Sequence, residues 1–434
     1  MRFGIKTIDE LKVEGRTVLL RVDINQPLDL HKGGLKDITR IRATVPTIRE
    51  LSNRGAKTVL LGHQGSMADY QNFGSLKPHS MVLNEFLGGQ VKFVEDICGP
   101  TAITAIKSIE PGGIVLLENI RFLAEENGSS EFNTKLGPAG TLLVRKLAPL
   151  ADCYISDAFA AAHRNQPSLC GFPTLLPAGM GRLFEKEYSV LTQMRSSQAR
   201  PYLFVLGGKK IVDSVLAIKQ LLKSGSTDCI LTGGLVAQFL SWAIGDLPAM
   251  TKLFRQPGCG PLVELARKLL NEQSARLVRP CDYAFIDNGR RVEAAPGQIP
   301  PAAEVTDIGG QTANQYAQAI AQAKTIFVNG PMGRFQEPQS KLGTRLIWEA
   351  LSRSQAFTVM GGGESIAAAL KFGSHDRLDY VSTGGGALIR FLTGEQLPAV
   401  LALRKGSLLR TKNTAATKVN FGAQASSKYD KVAF

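Results

Sequence analysis

Residues 202–234 read YLFVLGGKKIVDSVLAIKQLLKSGSTDCILTGG, and this stretch decides the fold. An apolar run stops at Gly207-Gly208, an amphipathic segment follows, and a second apolar run stops at Gly233-Gly234. Short runs that are apolar on both faces, separated by helices, indicate a parallel sheet covered on both sides. The unit recurs downstream as TIFVNGPMG (325–333), FTVMGGG (357–363) and DYVSTGGG (379–386). Strand, glycines, helix is the unit of a doubly wound nucleotide-binding domain.

Working outward, the first half shows the same rhythm with less glycine. Its apolar runs are Thr17–Asp23, Thr58–Gly62, Gly113–Leu117 and Asp152–Ile155, with helical segments such as Arg40–Ser52 between them. The expected fold class is α/β: two doubly wound parallel-sheet (Rossmann-like) domains joined by a helix. Pro177-Ala178-Gly179-Met180-Gly181 reads as a flexible turn ahead of a long helix from Leu183 to about Gln198. The expected division is therefore 1–178 for the first domain, 179–198 for the connecting helix and 199–395 for the second domain. Residues 396–403 are expected to return towards the first domain, and 404–434 to form a basic, disordered tail.

Composition narrows the class. With 434 residues the chain is too long for one core, and 44% hydrophobic against 20% charged residues excludes collagen-like and disordered chains. The net charge of +14 suggests an anionic partner, but residues 404–434 carry seven bases against one acid and so supply nearly half of it. That concentration argues against a nucleic-acid-binding face. Six scattered cysteines with no CxxC pair read as buried thiols of a reducing compartment. The start, MRFGIKTIDELKVEGR, has no apolar leader, and the uncharged stretch Cys229–Gly245 is too short for a membrane span. A cytoplasmic protein, monomeric or homodimeric and bound to neither membrane nor nucleic acid, is expected.

In an open parallel sheet, ligands bind beyond the carboxyl ends of the strands. The first half places charged groups there: Arg21-Val-Asp23-Ile-Asn25, His63-Gln64-Gly65-Ser66, Glu118-Asn-Ile-Arg121, and Asp157 with His163-Arg164. Arg40, Arg121, Arg164 and His63 together make a basket for a small polyanion. The second half places glycines, which let a phosphate approach backbone N–H groups at a helix N-terminus. There is no G-x-x-x-x-G-K-[ST] and no G-x-G-x-x-G, so neither the P-loop nor the dinucleotide fingerprint applies. Lys210 is the cation placed to meet a transferring phosphoryl group. An anion basket and a nucleotide cradle joined by a helix describe a two-substrate phosphotransferase whose halves close on each other.

Eight motifs in order carry a family resemblance. RVDIN (21–25), TRIRATVPTI (39–48), LLENIRF (116–122), DAFAAAHR (157–164), LGGKK (206–210), NGPMG (329–333), GGGES (361–365) and VSTGGGALIRFLTGEQLP (381–398) resemble phosphoglycerate kinase, its archaeal branch above all. The resemblance implies reversible phosphoryl transfer between 1,3-bisphosphoglycerate and ADP, giving 3-phosphoglycerate and ATP, with Mg2+. Carried over residue by residue, the phosphoglycerate site is Asp23, Asn25, Arg40, His63, Gln64, Gly65, Ser66, Arg121 and Arg164. Catalysis falls to Arg40, Lys210, Gly384, Gly385 and Gly386. The nucleotide is expected against Gly207, Gly208, Lys210, Gly233, Gly234, Asn329, Gln336, Gly361, Gly362 and Gly363, with Glu364 taking the metal.

Four positions depart from the family pattern. Ser66 stands where H-x-G-R-P has arginine, and Ser214 where G-G-x-K-x-x-x-K has its second lysine. Gln336, followed by Glu337, stands for the ribose-binding glutamate, and Glu364 for the aspartate after the triple glycine. A charge-assisted hydrogen bond contributes about 1.5–3 kcal/mol, so losing the basket arginine predicts roughly 10–100-fold weaker substrate handling unless another base substitutes. The same change admits a diverged kinase acting on another small phosphorylated or carboxylic acid.

Overall fold

The computed structural model describes residues 1–29, 34–66, 69–127, 137–247, 254 and 259–409. Seven strands serve the first half: β1 (Lys6–Thr7), β2 (Thr17–Arg21), β3 (Lys57–Leu61), β4 (Val91–Val94), β5 (Ile114–Leu117), β6 (Cys153–Ser156) and β7 (Ala178–Met180). They form one parallel sheet in the order β1-β7-β6-β2-β3-β5-β4. Successive side chains leave opposite faces, so both faces are buried. Val18 and Leu20 pack with Ile41, Val45 and Ile48 of helix Thr39–Asn53. Leu19 turns the other way, into the cluster that holds Ala102 and Ile106 of helix Pro100–Lys107.

The second half carries β8 (Tyr202–Leu206), β9 (Cys229–Thr232), β10 (Leu277–Val278), β11 (Tyr283–Asp287), β12 (Arg290–Ala294), β13 (Val305–Ile308), β14 (Thr325–Asn329), β15 (Phe357–Gly361) and β16 (Tyr380–Ser382). Six of them make a second parallel sheet, in the order β10-β9-β8-β14-β15-β16. The five apolar runs that end in glycine are its five consecutive strands from β9 to β16. Their glycine turns therefore share one edge.

Helix Arg182–Ser196 joins the halves, and it is part of the core rather than a free rod. Phe184, Tyr188, Leu191 and Met194 are buried in one apolar cluster that reaches both sheets. Phe159 of the first half lies edge-on to Phe184, centroids 5.3 Å apart, and Phe391 of the second half lies 5.2 Å from Tyr188. No helix among the described residues is long and apolar enough to cross a membrane.

Three expectations from the sequence need correction. The segment around Gly179 is not a flexible turn: Ala178–Met180 is the buried strand β7, wedged between β1 and β6. A Cβ on Gly179 would fall 2.8 Å from the Lys6 carbonyl oxygen, so glycine is there for close strand packing. The connecting helix begins only at Arg182. The tail does not begin at 404, because helix Pro398–Ser407 runs through that position. Gly406 lets this helix press on the first domain, Ser407 Oγ donates to the Ala178 carbonyl (3.0 Å), and Lys6 N donates to Ser407 Oγ (2.8 Å). Residues 410–434 lie outside the described residues.

One element of the second half was not expected at all. Strands β11, β12 and β13 form a small antiparallel sheet in the order β12-β11-β13. Its hairpin turns at Asn288-Gly289, both at positive φ (46° and 75°), which matches the right-handed twist of the flanking strands. The Asn-Gly signal stands in the sequence between YAFID and RRVEA.

Candidate functional site

Because the first sheet is parallel, the loops after β2, β3, β5 and β6 open on the same edge. Arg40, in the first turn of helix Thr39–Asn53, is ion-paired to Asp23 after β2. Asn25 Oδ1 accepts from Gly65 N (2.9 Å), and Arg121 Nη1 donates to the Gly65 carbonyl. Gly65 has φ +63°, and a Cβ there would collide with the Asn72 carbonyl at 2.2 Å. Only glycine fits this crossing of two loops. Asn119 ties the same loop down, accepting from Gln64 N (3.2 Å) and donating to the Gln64 and Gly74 carbonyls (both 2.8 Å).

His63 is 3% exposed, and its Nδ1 lies 3.0 Å from Arg21 Nη2. A guanidinium only donates, so Nδ1 accepts and the ring proton sits on Nε2. Burial, with Arg21, Arg164 and Arg40 nearby, pushes the imidazole well below its ordinary pKa. His63 is thus a neutral hydrogen-bond donor. Arg21 is fully buried behind it and donates through Nε to Ser168 Oγ (3.0 Å). Ser168 in turn donates to Glu126, a buried carboxyl pushed up to about 7 by desolvation. Arg21 stands in the quoted motif, but its role in fixing the His63 tautomer could not be read from sequence.

Two expected residues are absorbed by the scaffold. The Gln64 side chain accepts from Gln26 N (3.0 Å) and donates to the Gln26 and Asn72 carbonyls (2.7 and 2.9 Å). The Asp157 carboxylate caps the connecting helix, accepting from Leu183 N (2.9 Å) and Phe184 N (3.1 Å), and burial raises it to about 6. Ser66 pairs through its backbone with Asp69, whose N donates to the Ser66 carbonyl (2.9 Å), and its hydroxyl brings no charge to that position.

On the second domain a cavity of about 530 Å³ is lined by Gly207, Gly208, Lys209, Lys210, Asn329, Gly362, Gly363, Glu364, Gly385 and Gly386, among others. The glycine turns do not all cradle a ligand as the sequence suggests. Gly207 N donates to the Asn329 carbonyl (2.8 Å), Gly208 N to Pro331 (2.8 Å), Gly233 N to Leu206 (2.9 Å) and Gly234 N to Met332 (2.8 Å). These three turns are knotted together, and their glycines allow backbones to touch: a Cβ on Gly234 would stand 2.7 Å from Gly208 N. Gly233, Gly234, Gln336, Gly361 and Gly384 are outside the cavity lining. The open N–H groups are those of the first turns of helices Gly363–Lys371 and Gly385–Leu392. Both helix dipoles favour an anion there.

Lys210 lines the cavity and has no ion-pair partner among the described residues. Its neighbour Lys209 is paired to Glu364, Nζ to Oε1 2.9 Å. No three His, Cys, Asp or Glu side chains among the described residues gather to hold an ion. Three carboxylates nonetheless line the cavity, Asp213, Glu364 and Glu395, and Mg2+ binds through only one or two carboxylates plus substrate phosphates. Glu364 fits that requirement.

The two half-sites meet at His163, which sequence placed beside Arg164 without giving it a role. A Cβ on Gly386 would stand 3.6 Å from the His163 ring. Burial, with Arg390 next in effect, pushes this imidazole below its ordinary pKa. Glu187 of the connecting helix also reaches the seam, accepting from Ser382 Oγ (2.6 Å), Thr383 N (2.7 Å) and Thr383 Oγ1 (2.9 Å).

A basic pocket and an anion-accepting cavity on two sheets, facing across a seam beside the connecting helix, define a two-domain phosphotransferase. The comparisons with known proteins agree. The family profile described as phosphoglycerate kinase matches residues 8–395. Phosphoglycerate kinase of Methanothermobacter thermautotrophicus is 42% identical over 405 residues, covering 93% of this chain and 97% of that protein. That of Saccharolobus solfataricus is 40% identical over 410 residues, covering 92% and 97%. The crystal structure of the Pyrococcus horikoshii enzyme superposes with a TM-score of 0.84 at 36% identity, covering 92% of this chain and 98% of that one. The Coxiella burnetii structure gives 0.74 at 28% identity, over 93% and 100%. The chain belongs to the phosphoglycerate kinase family. Its reaction is reversible phosphoryl transfer between 1,3-bisphosphoglycerate and ADP, giving 3-phosphoglycerate and ATP.

Proposed function

We propose that 3-phosphoglycerate lies against Asp23, Asn25, Arg40, His63, Arg121 and Arg164, with the Gln64-Gly65-Ser66 backbone as the wall. The nucleotide occupies the second-domain cavity, its phosphates towards Lys210 and the first turns at Gly363 and Gly385-Gly386. A carboxylate oxygen of 3-phosphoglycerate attacks the γ-phosphorus of ATP; the bond from that phosphorus to the β-phosphate oxygen breaks, leaving ADP and the acyl phosphate. The attacking carboxylate is already ionised, so no general base is required. Catalysis then rests on alignment and on donors fixed in advance, with Lys210 and the helix N-termini stabilising the transferring phosphoryl and Arg40 holding the acceptor. Mg2+ bound with the nucleotide would neutralise phosphate charge, and Glu364 is the residue suited to hold it. Closure of the two domains brings the reactants together and excludes water. We place the enzyme in the cytoplasm, as a monomer or homodimer, in keeping with six free cysteines.

The observation that carries this reading is Lys210: a cation with no ion-pair partner among the described residues, in a cavity with two open helix N-termini. A coupled assay of ATP-dependent phosphorylation of 3-phosphoglycerate tests it. Lys210→Ala should lower kcat by about 10²–10³-fold, the usual cost of removing one preorganised donor. An unchanged kcat would remove Lys210 from the mechanism. Run beside it, Ser66→Arg separates the two acceptor readings: turnover of 3-phosphoglycerate by the variant alone would point to a different natural acid.

A further inference from the structure

Two consecutive lysines enter the cavity and behave differently. Lys210 is unpaired among the described residues, whereas Lys209 rests on the Glu364 carboxylate at 2.9 Å. That carboxylate is one of three lining the cavity, with Asp213 and Glu395, and it is the one in the first turn of helix Gly363–Lys371, whose N–H groups face the phosphate space. An ammonium and a metal ion cannot both sit on it at contact distance, because their mutual repulsion offsets what either gains. The pair is also easily broken: its side chains are 70% and 42% exposed, and ion pairs so wetted are weak. A buried pair would block the metal, whereas this one can be exchanged.

We infer that Lys209 is a built-in competitor for the metal position on Glu364, and so sets how strongly nucleotide affinity depends on Mg2+. Without metal, Lys209 neutralises Glu364 and keeps its negative charge from repelling the phosphates of ADP. With metal, the ion takes Glu364 and Lys209 swings to solvent. The inference rests on the reading that this cavity holds the nucleotide.

Isothermal titration of ADP into the full chain tests it, once with EDTA and once with Mg2+. In Lys209→Ala, metal-free ADP should bind about 10-fold more weakly, the size of one lost charge compensation. Mg2+-ADP should bind equally well or several-fold tighter, since its competitor is gone. In a Glu364→Gln background, Lys209→Ala should lose this opposition. Lys209→Arg should behave as the unmodified protein. Equal weakening in both buffers would show a lysine that contacts phosphate throughout, and no change in either would show an idle surface pair. Each result overturns the inference. Failure of the unmodified protein to bind ADP even with Mg2+ would overturn the cavity reading itself, and the inference with it.

Discussion

His63 and His79 flank Gln64, one by sequence and one by the 3.0 Å contact from His79 Nε2 to Gln64 Oε1, and both are kept neutral. Burial lowers His79 to about 4. An ordinary histidine titrates near 6.5, so between 6.5 and about 4 the unfolded chain binds a proton at this site that the folded chain refuses. Stability owed to His79 is therefore complete above pH 6.5 and is lost as pH falls towards 4. Urea unfolding of His79→Gln should show the variant gaining on the unmodified protein by up to roughly 3 kcal/mol across that window. A constant difference from pH 7 to 4 would mean that His79 is not the proton-refusing group. At this scale the sequence was legible in part. Arg40, His63, Arg121 and Arg164 were picked out by type and place, whereas the loss of Gln64 to the scaffold depended on Gln26 and Asn72 arriving from elsewhere.

Among the elements, the helix Gly385–Leu392 carries the sharpest test. Gly385 has φ +50°, so its glycine is conformational, but Gly386 is not in the left-handed region and its Cβ would meet only the His163 ring at ordinary contact distance. Gly386→Ala should therefore fold normally and even gain about 0.4–1 kcal/mol, by narrowing the unfolded ensemble. It should nonetheless lose at least 10-fold in kcat, because the methyl crowds the first-turn N–H groups proposed to face the phosphoryl. Thermal unfolding and the coupled assay, run on the same sample, check both halves. Wild-type activity in a stabilised variant would show that this terminus does not approach the reacting group. The strand–glycine–helix rhythm announced the element plainly. It could not separate Gly386 from Gly233 and Gly234, whose N–H groups are spent on neighbouring carbonyls, because that division is made by loops meeting across the sheet.

In the molecule as a whole, one apolar cluster runs from the first sheet through Phe184, Tyr188 and Phe391 to the second, while the polar half-sites face each other across a seam. In the proposed reading the apolar contact acts as a pivot, and the charged faces come together when anions lie between them. X-ray scattering should show the radius of gyration falling only when both 3-phosphoglycerate and nucleotide are present. Compaction by either substrate alone would mean that closure does not wait for the complete reaction pair.

The sequence alone determined the α/β class, the two-sheet plan and the five glycine-ended strands, and it proposed the two kinds of half-site, because these depend on periodicity and residue type within short windows. It misread Gly179 and missed the Asn288-Gly289 hairpin. It also began the tail at 404, although helix Pro398–Ser407 runs through that position and Gly406 and Ser407 are buried against the first domain. Only the tertiary structure decided which glycines are locks and which are openings, that Arg21 fixes the His63 proton, and that Lys209 rests on Glu364. Each of these depends on groups far apart in the chain coming within hydrogen-bonding or ion-pair distance, and no local pattern encodes such a meeting.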